Sequence, residues 1–206
     1  MPARAGPSSA IEVYPLTPDR WNDLVKLFTS RGSGQVRWCW CMYYRRSGRA
    51  EVPGNTSVAE HNRDALKALV DAGTIPGLLG YRDGKPVAWV SLGPRSEYAK
   101  LAKSPVMRAV DDKPVWSVIC FFTSAEARGQ HVAEEMLGHA AEFARANGAT
   151  LLEAYPVDKQ ERSRAENIGF GSKAMYGRAG FVEVARRKPT RVVMRKVLRS
   201  ARVRAR

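Results

Sequence analysis

Three stretches of the chain carry the signals of α-helices. The first, 17–30, repeats apolar residues every three or four positions, which predicts one buried stripe. The second begins with the capping-box pair Ser57 and Glu60 and stops at Gly73. The third, 129–148, again repeats apolar residues at helical spacing and ends at a glycine. Each stretch predicts a helix that lays its apolar side on a core.

Other stretches carry the signals of β-strands. Residues 78–92 read as two strands joined by Asp83 and Gly84, a pair typical of tight hairpins. Residues 115–123 form a continuous apolar run, which predicts a central strand covered on both faces. The remaining predicted elements are strands at 11–16, 150–157, 181–185 and 191–198, a short helix at 172–180, and irregular segments at 93–114 and 158–171.

The order of the predicted elements is β, α, α, β, β, β, α, β, α, β, β. The strand at 115–123, the helix at 129–148 and the strand at 150–157 follow one another through short connections. A strand–helix–strand crossover of this length places its two strands parallel in one sheet. The pattern therefore predicts a mixed α/β fold.

Charge is spread unevenly along the 206 residues. The net charge is +14, and residues 186–206 supply ten Lys or Arg and no Asp or Glu, which leaves +4 for the rest. The excess of positive charge therefore lies at the C-terminal end. Length and composition predict a flexible N-terminus (1–10), one domain (11–198) and a basic tail (199–206).

The sequence shows no signal of membrane insertion or secretion. It has no apolar run of about 18 residues, and its N-terminus lacks the apolar stretch of a signal peptide. The three cysteines are an odd and sparse set, which is typical of a reducing compartment. These observations predict a cytoplasmic protein that does not contact a membrane.

The turn between the strand 115–123 and the following helix contains the residues that indicate a ligand-binding site. Residues 128–133 read RGQHVA and fit the pattern R-x-x-(G)-x-A at the mouth of a helix. A helix N-terminus offers unpaired backbone N–H groups and a partial positive charge, and small residues let a diphosphate approach closely. Arg128 adds a fixed cation. The turn therefore predicts a binding site for phosphate groups.

The region 115–184 resembles the GNAT superfamily of N-acetyltransferases. The resemblance rests on the strand VWSVICFFT, the turn RGQHVA, the strand LLEAYPV and the segment MYGRAGFVEV. The last segment is similar to the family motif Y-x-x-x-G-F through Tyr176, Gly180 and Phe181. The element order follows the family over roughly 11–198. The resemblance implies a single mixed, mostly antiparallel central sheet flanked by helices, with a parallel β–α–β core that binds acyl-CoA.

The resemblance also implies where acetyl-CoA, the co-substrate of the family, is held. Main-chain groups of Phe122 and Thr123 would lie along the pantetheine. Backbone amides of the turn would face the diphosphate. The residues of that turn are Arg128, Gly129, Gln130, His131, Val132 and Ala133.

One position of the turn departs from the family pattern, because His131 stands where the family has glycine. Glycine there lets a phosphate approach closely, and histidine is compatible if its backbone is helical and its Cβ points away. Two interpretations remain open. The imidazole lies near the diphosphate, or it is a solvent-facing helical residue.

Acetyl transfer to an amine needs an acceptor for the amine proton and a proton donor for the departing thiolate. By resemblance, Tyr176 is the donor near the thioester sulfur; the alternative is a tyrosine that only packs. Glu153 on the strand 150–157 and Glu97 after the hairpin are the nearest candidates for the base. Each could instead be a hydrogen-bonded or surface carboxylate, and water is a further candidate.

The segment 37–46 reads RWCWCMYYRR and first suggests a metal or redox site. The C-x-C pair and the lone Cys120, with three scattered histidines, do not supply the paired ligands of a structural zinc site, so no metal is expected. A disulfide between Cys39 and Cys41 would close a small, strained ring. Stacking on nucleic acid is disfavoured because the block is short and very apolar.

The resemblance implies a different role for this segment, since the part of the fold after the first helix borders the acceptor pocket. Trp40 and Tyr43 are therefore predicted to contact the acceptor, with Glu97 as a further contact. Plain core packing is the alternative that the residues leave open.

The prediction is an acetyl-CoA-dependent N-acetyltransferase. It moves an acetyl group to a primary amine, favoured as that of a small molecule, by direct attack in a ternary complex. Two other functions stay open. One is a nucleic-acid- or ribosome-associated module that uses the basic tail, and the other is a protein N-acetyltransferase. A monomer and a homodimer are both compatible with the sequence.

Overall fold

A computed structural model describes residues 10–52, 54–158 and 169–198. Within these ranges one sheet has the strand order β1-β2-β3-β4-β5-β7-β6. The strands are β1 (Glu12–Pro15), β2 (Gly77–Arg82), β3 (Lys85–Pro94), β4 (Trp116–Thr123), β5 (Leu151–Ala154), β6 (Val182–Lys188) and β7 (Arg191–Val197). The helices are α1 (Trp21–Thr29), α2 (Val36–Cys39), α3 (Val58–Asp71), α4 (Ala99–Lys103), α5 (Val132–Ala146) and α6 (Lys173–Arg178).

The sheet is antiparallel except at one place. Strands β4 and β5 pair in parallel, and α5 is the crossover between them. All other neighbours pair antiparallel. This arrangement confirms the mixed, mostly antiparallel sheet with a parallel β–α–β core.

The hairpin between β2 and β3 has the turn that its sequence predicts. Asp83 and Gly84 both have positive φ, at 50° and 72°. Two successive positive φ values belong to a type I′ turn, whose twist matches that of the flanking strands. Arg82 consequently faces Lys85 across the strand pair, which places the Arg82 side chain at one end of the sheet.

The sheet has a core on each face because successive strand residues point to opposite sides. In β3, Ala88 and Val90 pack with α5, whereas Trp89 packs with α1. We call these faces the α5 side and the α1 side. A further cluster around Tyr98, which includes Leu101 of α4, adjoins β4 through Ile119.

The observed helix starts agree better with the positions of capping residues than with the starts predicted from apolar spacing. The capping box is present, with Glu60 N donating to Ser57 Oγ at 3.2 Å and Ser57 N donating to Glu60 Oε2 at 2.9 Å. The third predicted helix begins at Val132, three residues late, because Gly129 and His131 have left-handed backbones. The segment 93–114, predicted as irregular, contains α4 and a short 3-10 helix.

Some predicted segments lie outside the described residues. These are the N-terminus apart from Ala10, the basic tail 199–206, and positions 159–168 of the predicted polar loop. Among the helices that are described, none combines the length and the apolar character needed to cross a membrane.

Candidate active site

Strands β4 and β5 separate from each other part-way along their length. They pair from Trp116 with Leu152 to Val118 with Ala154, and β4 then continues alone on this side to Thr123. We call the gap beyond Val118 the β4–β5 opening. Beyond Val118 the strand β4 has no partner on β5, but two of its backbone groups are taken, because Phe121 N donates to Gly169 O and Thr123 O accepts from Arg128 Nε. Thr123 N has no partner among the described residues and stays open to a ligand.

The backbone directions in β4 decide which residues face the opening. Phe121 N donates to Gly169 O at 2.7 Å, so its N–H points away from β3. Because backbone groups alternate along a strand, Thr123 also faces the opening, whereas Phe122 is turned towards its partner Trp89 on β3. This corrects the prediction that main-chain groups of Phe122 lie along the pantetheine, while the prediction for Thr123 stays.

The turn 128–133 contains a run of backbone N–H groups without backbone acceptors. Within the described residues, no backbone acceptor is found for the amides of Arg128 to His131, and Val132 and Ala133 are the first residues of α5. Amides in the first helical turn have no intrahelical acceptor. Together with the partial positive charge at the N-terminus of a 15-residue helix, these groups make the turn a candidate anion-binding site.

Two arginines border this turn. Arg128 is held in place by two carbonyls, with Nε donating to Thr123 O at 3.2 Å and Nη2 to Gly32 O at 2.9 Å. Arg82 comes from the β2–β3 hairpin and donates through Nη1 to Gln130 Oε1. The Nε and Nη2 atoms of Arg82 are buried and have no hydrogen-bond partner among the described residues. Arg82 is thus a second cation of the turn that the sequence did not reveal.

The carboxylates at the start of α5 are already engaged. Glu134 forms an ion pair with Arg178, and that arginine holds the pKa of the Glu134 carboxyl below its usual range. Glu135 accepts a hydrogen bond from Ile11 N at 3.2 Å. The charge of Glu134 is therefore balanced by Arg178, whereas Glu135 is held by a neutral donor and keeps its negative charge.

His131 adopts a left-handed backbone, with φ 59° and ψ 7°, directly before α5. The condition under which histidine was compatible, a helical backbone, is therefore not met, and glycine suits the position because it adopts a left-handed backbone without strain. The imidazole side chain is 74% exposed, and its Nδ1 lies 3.4 Å from Glu134 Oε1. Of the two interpretations, the solvent-facing one agrees with this exposure.

Replacing His131 with glycine is expected to stabilise the fold. A left-handed residue with a Cβ costs about 1–2 kcal/mol, and the extra chain entropy of glycine offsets about half of this. Chemical denaturation should show the gain, and calorimetry should show acetyl-CoA affinity kept or modestly changed. His139→Gly, at an exposed position inside α5, is the matched control and should destabilise. A loss of stability in His131→Gly would contradict the argument.

Tyr176 lies under the β4–β5 opening on the α5 side. It is fully buried, and its ring packs against Phe121 and Phe181 at centroid distances of 6.2 and 5.1 Å. Its hydroxyl has no hydrogen-bond partner among the described residues. Burial, followed by the neighbouring Cys120 and Tyr155, raises its pKa well above the usual value. The hydroxyl is therefore protonated and has no partner, but it is closed to solvent, so contact with a ligand requires movement of the side chains around it.

Glu153 lies deep in the sheet and away from the opening. It is fully buried and accepts hydrogen bonds from Arg195 Nε at 2.8 Å, Arg95 Nη1 at 3.0 Å and Tyr155 Oη at 2.7 Å. On β4 its neighbour is Ser117, which precedes the point where the strands separate. This corrects the prediction of Glu153 as the base, because its oxygens are committed to two arginines.

The two predicted aromatic contacts of the segment 37–46 differ in position. Trp40 is 3% exposed and belongs to the α1-side core, where its ring stacks on Trp21 at 5.9 Å. This corrects its assignment as an acceptor contact. Tyr43 is 49% exposed, and Lys100 Nζ lies 3.7 Å from its ring centre. Tyr43 therefore stays a prediction as an acceptor contact.

The cysteines of this region are free thiols, and the structure brings two of them together. Hydrogen bonding from Cys120 is the largest cause of a lowered pKa at Cys41, whose Sγ also accepts a hydrogen bond from Trp89 Nε1 at 3.3 Å. Burial raises the pKa of Cys39 to about 11. Within the described ranges no group of three or more His, Cys, Asp or Glu is arranged to hold a metal ion.

Glu97 lies near this segment and is paired. Its Oε2 accepts from Arg45 Nη1 at 2.6 Å, and the carboxylate side chain is 36% exposed. It therefore lies beside the predicted acceptor region, on the α1 side of the sheet. A Cβ at Gly93 of β3 would come within 3.1 Å of its Oε2 atom.

Comparison with known protein families identifies the family of this chain. A family model described as the acetyltransferase (GNAT) family matches residues 37–181. The chain belongs to the GNAT acetyltransferase family. The match contains the opening, the turn and Tyr176, so the GNAT resemblance inferred from the sequence is confirmed. Members of this family are acetyltransferases that use acetyl-CoA.

Solved GNAT structures share the fold. A GNAT family protein from Desulfovibrio desulfuricans is 14% identical, with a TM-score of 0.54 over 92% of this chain and 100% of that chain. A structure from Corynebacterium glutamicum, described as histone acetyltransferase HPA2 and related acetyltransferase, is 17% identical, with a TM-score of 0.53 over 95% and 100%. PaiA N-acetyltransferase from Thermoplasma acidophilum, in complex with coenzyme A, is 13% identical, with a TM-score of 0.50 over 92% and 99%. No curated protein matches the chain.

Proposed function

We propose that this protein transfers an acetyl group from acetyl-CoA to a primary amine of a small molecule, by direct attack in a ternary complex. The observation that carries the proposal is the turn 128–133. Its amides and the N-terminus of α5 offer unpaired donors beside the β4–β5 opening. A diphosphate at the turn would lie at one end of that opening, with the acyl chain directed along β4.

The residues around the opening fit the needs of this chemistry. Acetyl-CoA supplies the thioester, and the C–S bond breaks as the amine nitrogen bonds to the carbonyl carbon. The hydroxyl of Tyr176 is protonated at neutral pH and donates a proton to the departing sulfur. The proton of the amine leaves to water, because Glu153 is committed to its ion pairs.

The two arginines at the turn supply positive charge to the diphosphate. Arg128→Gln and Arg82→Gln are each expected to weaken acetyl-CoA binding roughly 10- to 100-fold, the range expected for a lost hydrogen bond to a charged group. Isothermal titration calorimetry of acetyl-CoA against each variant measures this. Arg63→Gln, which replaces a partly exposed arginine of α3, is the control and should bind like the wild type.

Saturable thermal stabilisation by acetyl-CoA and release of the CoA thiol in the presence of amines test the function as a whole. A protein that acetyl-CoA does not stabilise would contradict the proposal. Equal affinities in Arg128→Gln, Arg82→Gln and Arg63→Gln would show that the diphosphate lies elsewhere.

A further inference from the structure

A group of cations lies on the α1 side of the sheet. Arg45 and Arg46 end the sequence RWCWCMYYRR, and Lys100 belongs to α4. The two elements are joined where Lys100 N donates to Tyr44 O at 3.1 Å. Lys100 Nζ also lies over the ring of Tyr43. We call Arg45, Arg46 and Lys100 the basic cluster.

One member of the basic cluster has its counter-charge. Arg45 pairs with Glu97 and donates through Nη2 to Tyr98 Oη at 3.3 Å, and its side chain is 6% exposed. Its guanidinium also lies over the Tyr98 ring, with Cζ 4.6 Å from the centroid. The positive charge of Arg45 is therefore balanced by Glu97, and its position is fixed by these contacts.

Arg46 differs from Arg45 in having no ion pair among the described residues, although Arg45 Nε is also a buried donor without a partner there. The Nε and Nη1 atoms of Arg46 are buried, and neither has a hydrogen-bond partner in the part of the chain that the structure describes. Buried donors without acceptors cost free energy, so such groups in a native structure call for an explanation such as a ligand. The pKa of Lys100 is lowered, first by burial and then by the charge of Arg46. The cluster thus carries more positive charge than Glu97 neutralises.

The basic cluster is next to the β4–β5 opening. The ring of Tyr44 packs against Phe170, with centroids 5.5 Å apart. The preceding residue, Gly169, accepts the hydrogen bond from Phe121 on β4. Arg191 of β7 is also close enough to act on the pKa of Tyr44, which burial raises to about 12. An acceptor reaching the opening from the α1 side therefore passes a region of positive potential.

We infer that the acceptor amine of the proposed reaction also carries a carboxylate, and that the guanidinium of Arg46, through one of its unpartnered N–H groups, binds this carboxylate. The inference rests on the proposed function, since it names the class of its acceptor. A guanidinium provides several fixed donors that suit a carboxylate. Polyamines and aminoglycosides, which are cationic, meet unfavourable potential at the same place. Amino acids are the simplest acceptors with both groups.

Matched pairs of amines test this without knowledge of the natural acceptor. The pairs are tyrosine with tyramine, phenylalanine with 2-phenylethylamine, and lysine with cadaverine, whose members differ only in the carboxylate. In wild-type protein saturated with acetyl-CoA, we expect the carboxylate member to be bound and turned over with roughly 10- to 100-fold higher kcat/KM. Thermal stabilisation measures binding separately from release of the CoA thiol.

Two variants isolate the contribution of Arg46. Arg46→Gln should raise the KM of the carboxylate members roughly 10- to 100-fold and remove the preference within each pair, with acetyl-CoA affinity unchanged. Arg46→Met retains much of the apolar stem and serves if the glutamine variant is poorly folded. Arg49→Gln, at an exposed position of the same loop, is the control and should keep the preference.

The outcomes separate the two proposals. Turnover that is equal within the pairs, or favours the amines without a carboxylate, would overturn the carboxylate site and leave acetyl transfer standing. Stabilisation by amino acids that depends on Arg46, without release of the CoA thiol, would support the carboxylate site and contradict acetyl transfer. A preference for carboxylates that survives in both Arg46 variants would overturn the role of Arg46.

Discussion

Replacing Glu153 with glutamine is expected to lower the free energy of unfolding by about 3–5 kcal/mol, the range found when one partner of a buried ion pair is removed. Two arginines, Arg95 and Arg195, both donate to this carboxylate. In the variant both would lose their shared counter-charge inside the protein, where water does not compensate. Urea denaturation monitored by tryptophan fluorescence measures the loss.

The control uses an ion pair of the same chemistry at the surface. Glu142 accepts from Arg145 at 2.7 Å, but the Glu142 side chain is 68% exposed. Glu142→Gln should therefore change stability by less than about 1 kcal/mol. If Glu153→Gln is as stable as the wild type but turns over slowly, with recovery at high pH, Glu153 is the base after all and the structural role is wrong.

Glu153 was predicted from the sequence as a catalytic base, but the structure shows it in an ion pair. Local sequence patterns could not predict this pair. The strand LLEAYPV gives no sign that Glu153 meets Arg195, since 42 residues separate them. A carboxylate on a buried strand suggests catalysis or an ion pair equally well. Only the pairing of β5 with β7, which sets Glu153 opposite Arg195, distinguishes the two.

The fold was more predictable because its main signals are local. The Ser57–Glu60 capping box, the Asp83–Gly84 turn and the apolar run of β4 each act over a few residues. The crossover rule then determines the parallel pair from chain order alone. The start of α5 was misjudged because a left-handed histidine at position 131 is unusual and leaves no trace in apolar spacing.

The candidate site was only partly predictable for a related reason. The turn 128–133 is continuous in sequence, so its amides could be foreseen, but Arg82 reaches it from a hairpin 48 residues away. In the segment 37–46, aromatic composition could not separate Trp40, which is core, from Tyr43, which is exposed. The left-handed backbone of Trp40 and Cys41 turns the chain between them.

Tyr176→Phe is expected to slow acetyl transfer by about 100-fold or more while stabilising the protein without ligand. The rate effect is the lower end of the range for general acid catalysis. The stability effect, about 1–3 kcal/mol, follows because the variant removes a buried hydroxyl that has no partner among the described residues. Single-turnover release of the CoA thiol and urea denaturation measure the two quantities.

Tyr155→Phe is the matched control, since both phenols are buried but differ in hydrogen bonding. Tyr155 Oη donates to Glu153 at 2.7 Å and lies 2.9 Å from Ser117 Oγ, so its removal should destabilise the protein. The two variants are therefore expected to change stability in opposite directions. A Tyr176→Phe protein with unchanged turnover at every pH would show that Tyr176 only packs against Phe121 and Phe181.

The pH dependence of the wild type provides a further check on Tyr176. Burial holds the pKa of its phenol well above the ordinary value of a tyrosine, so the proton stays on the hydroxyl throughout the neutral and mildly alkaline range. Ionisation of Tyr176 should therefore contribute no loss of rate below about pH 10. A decline in single-turnover rate between pH 8 and pH 9 that disappears in Tyr176→Phe would contradict this, because it would require an exposed phenol of low pKa.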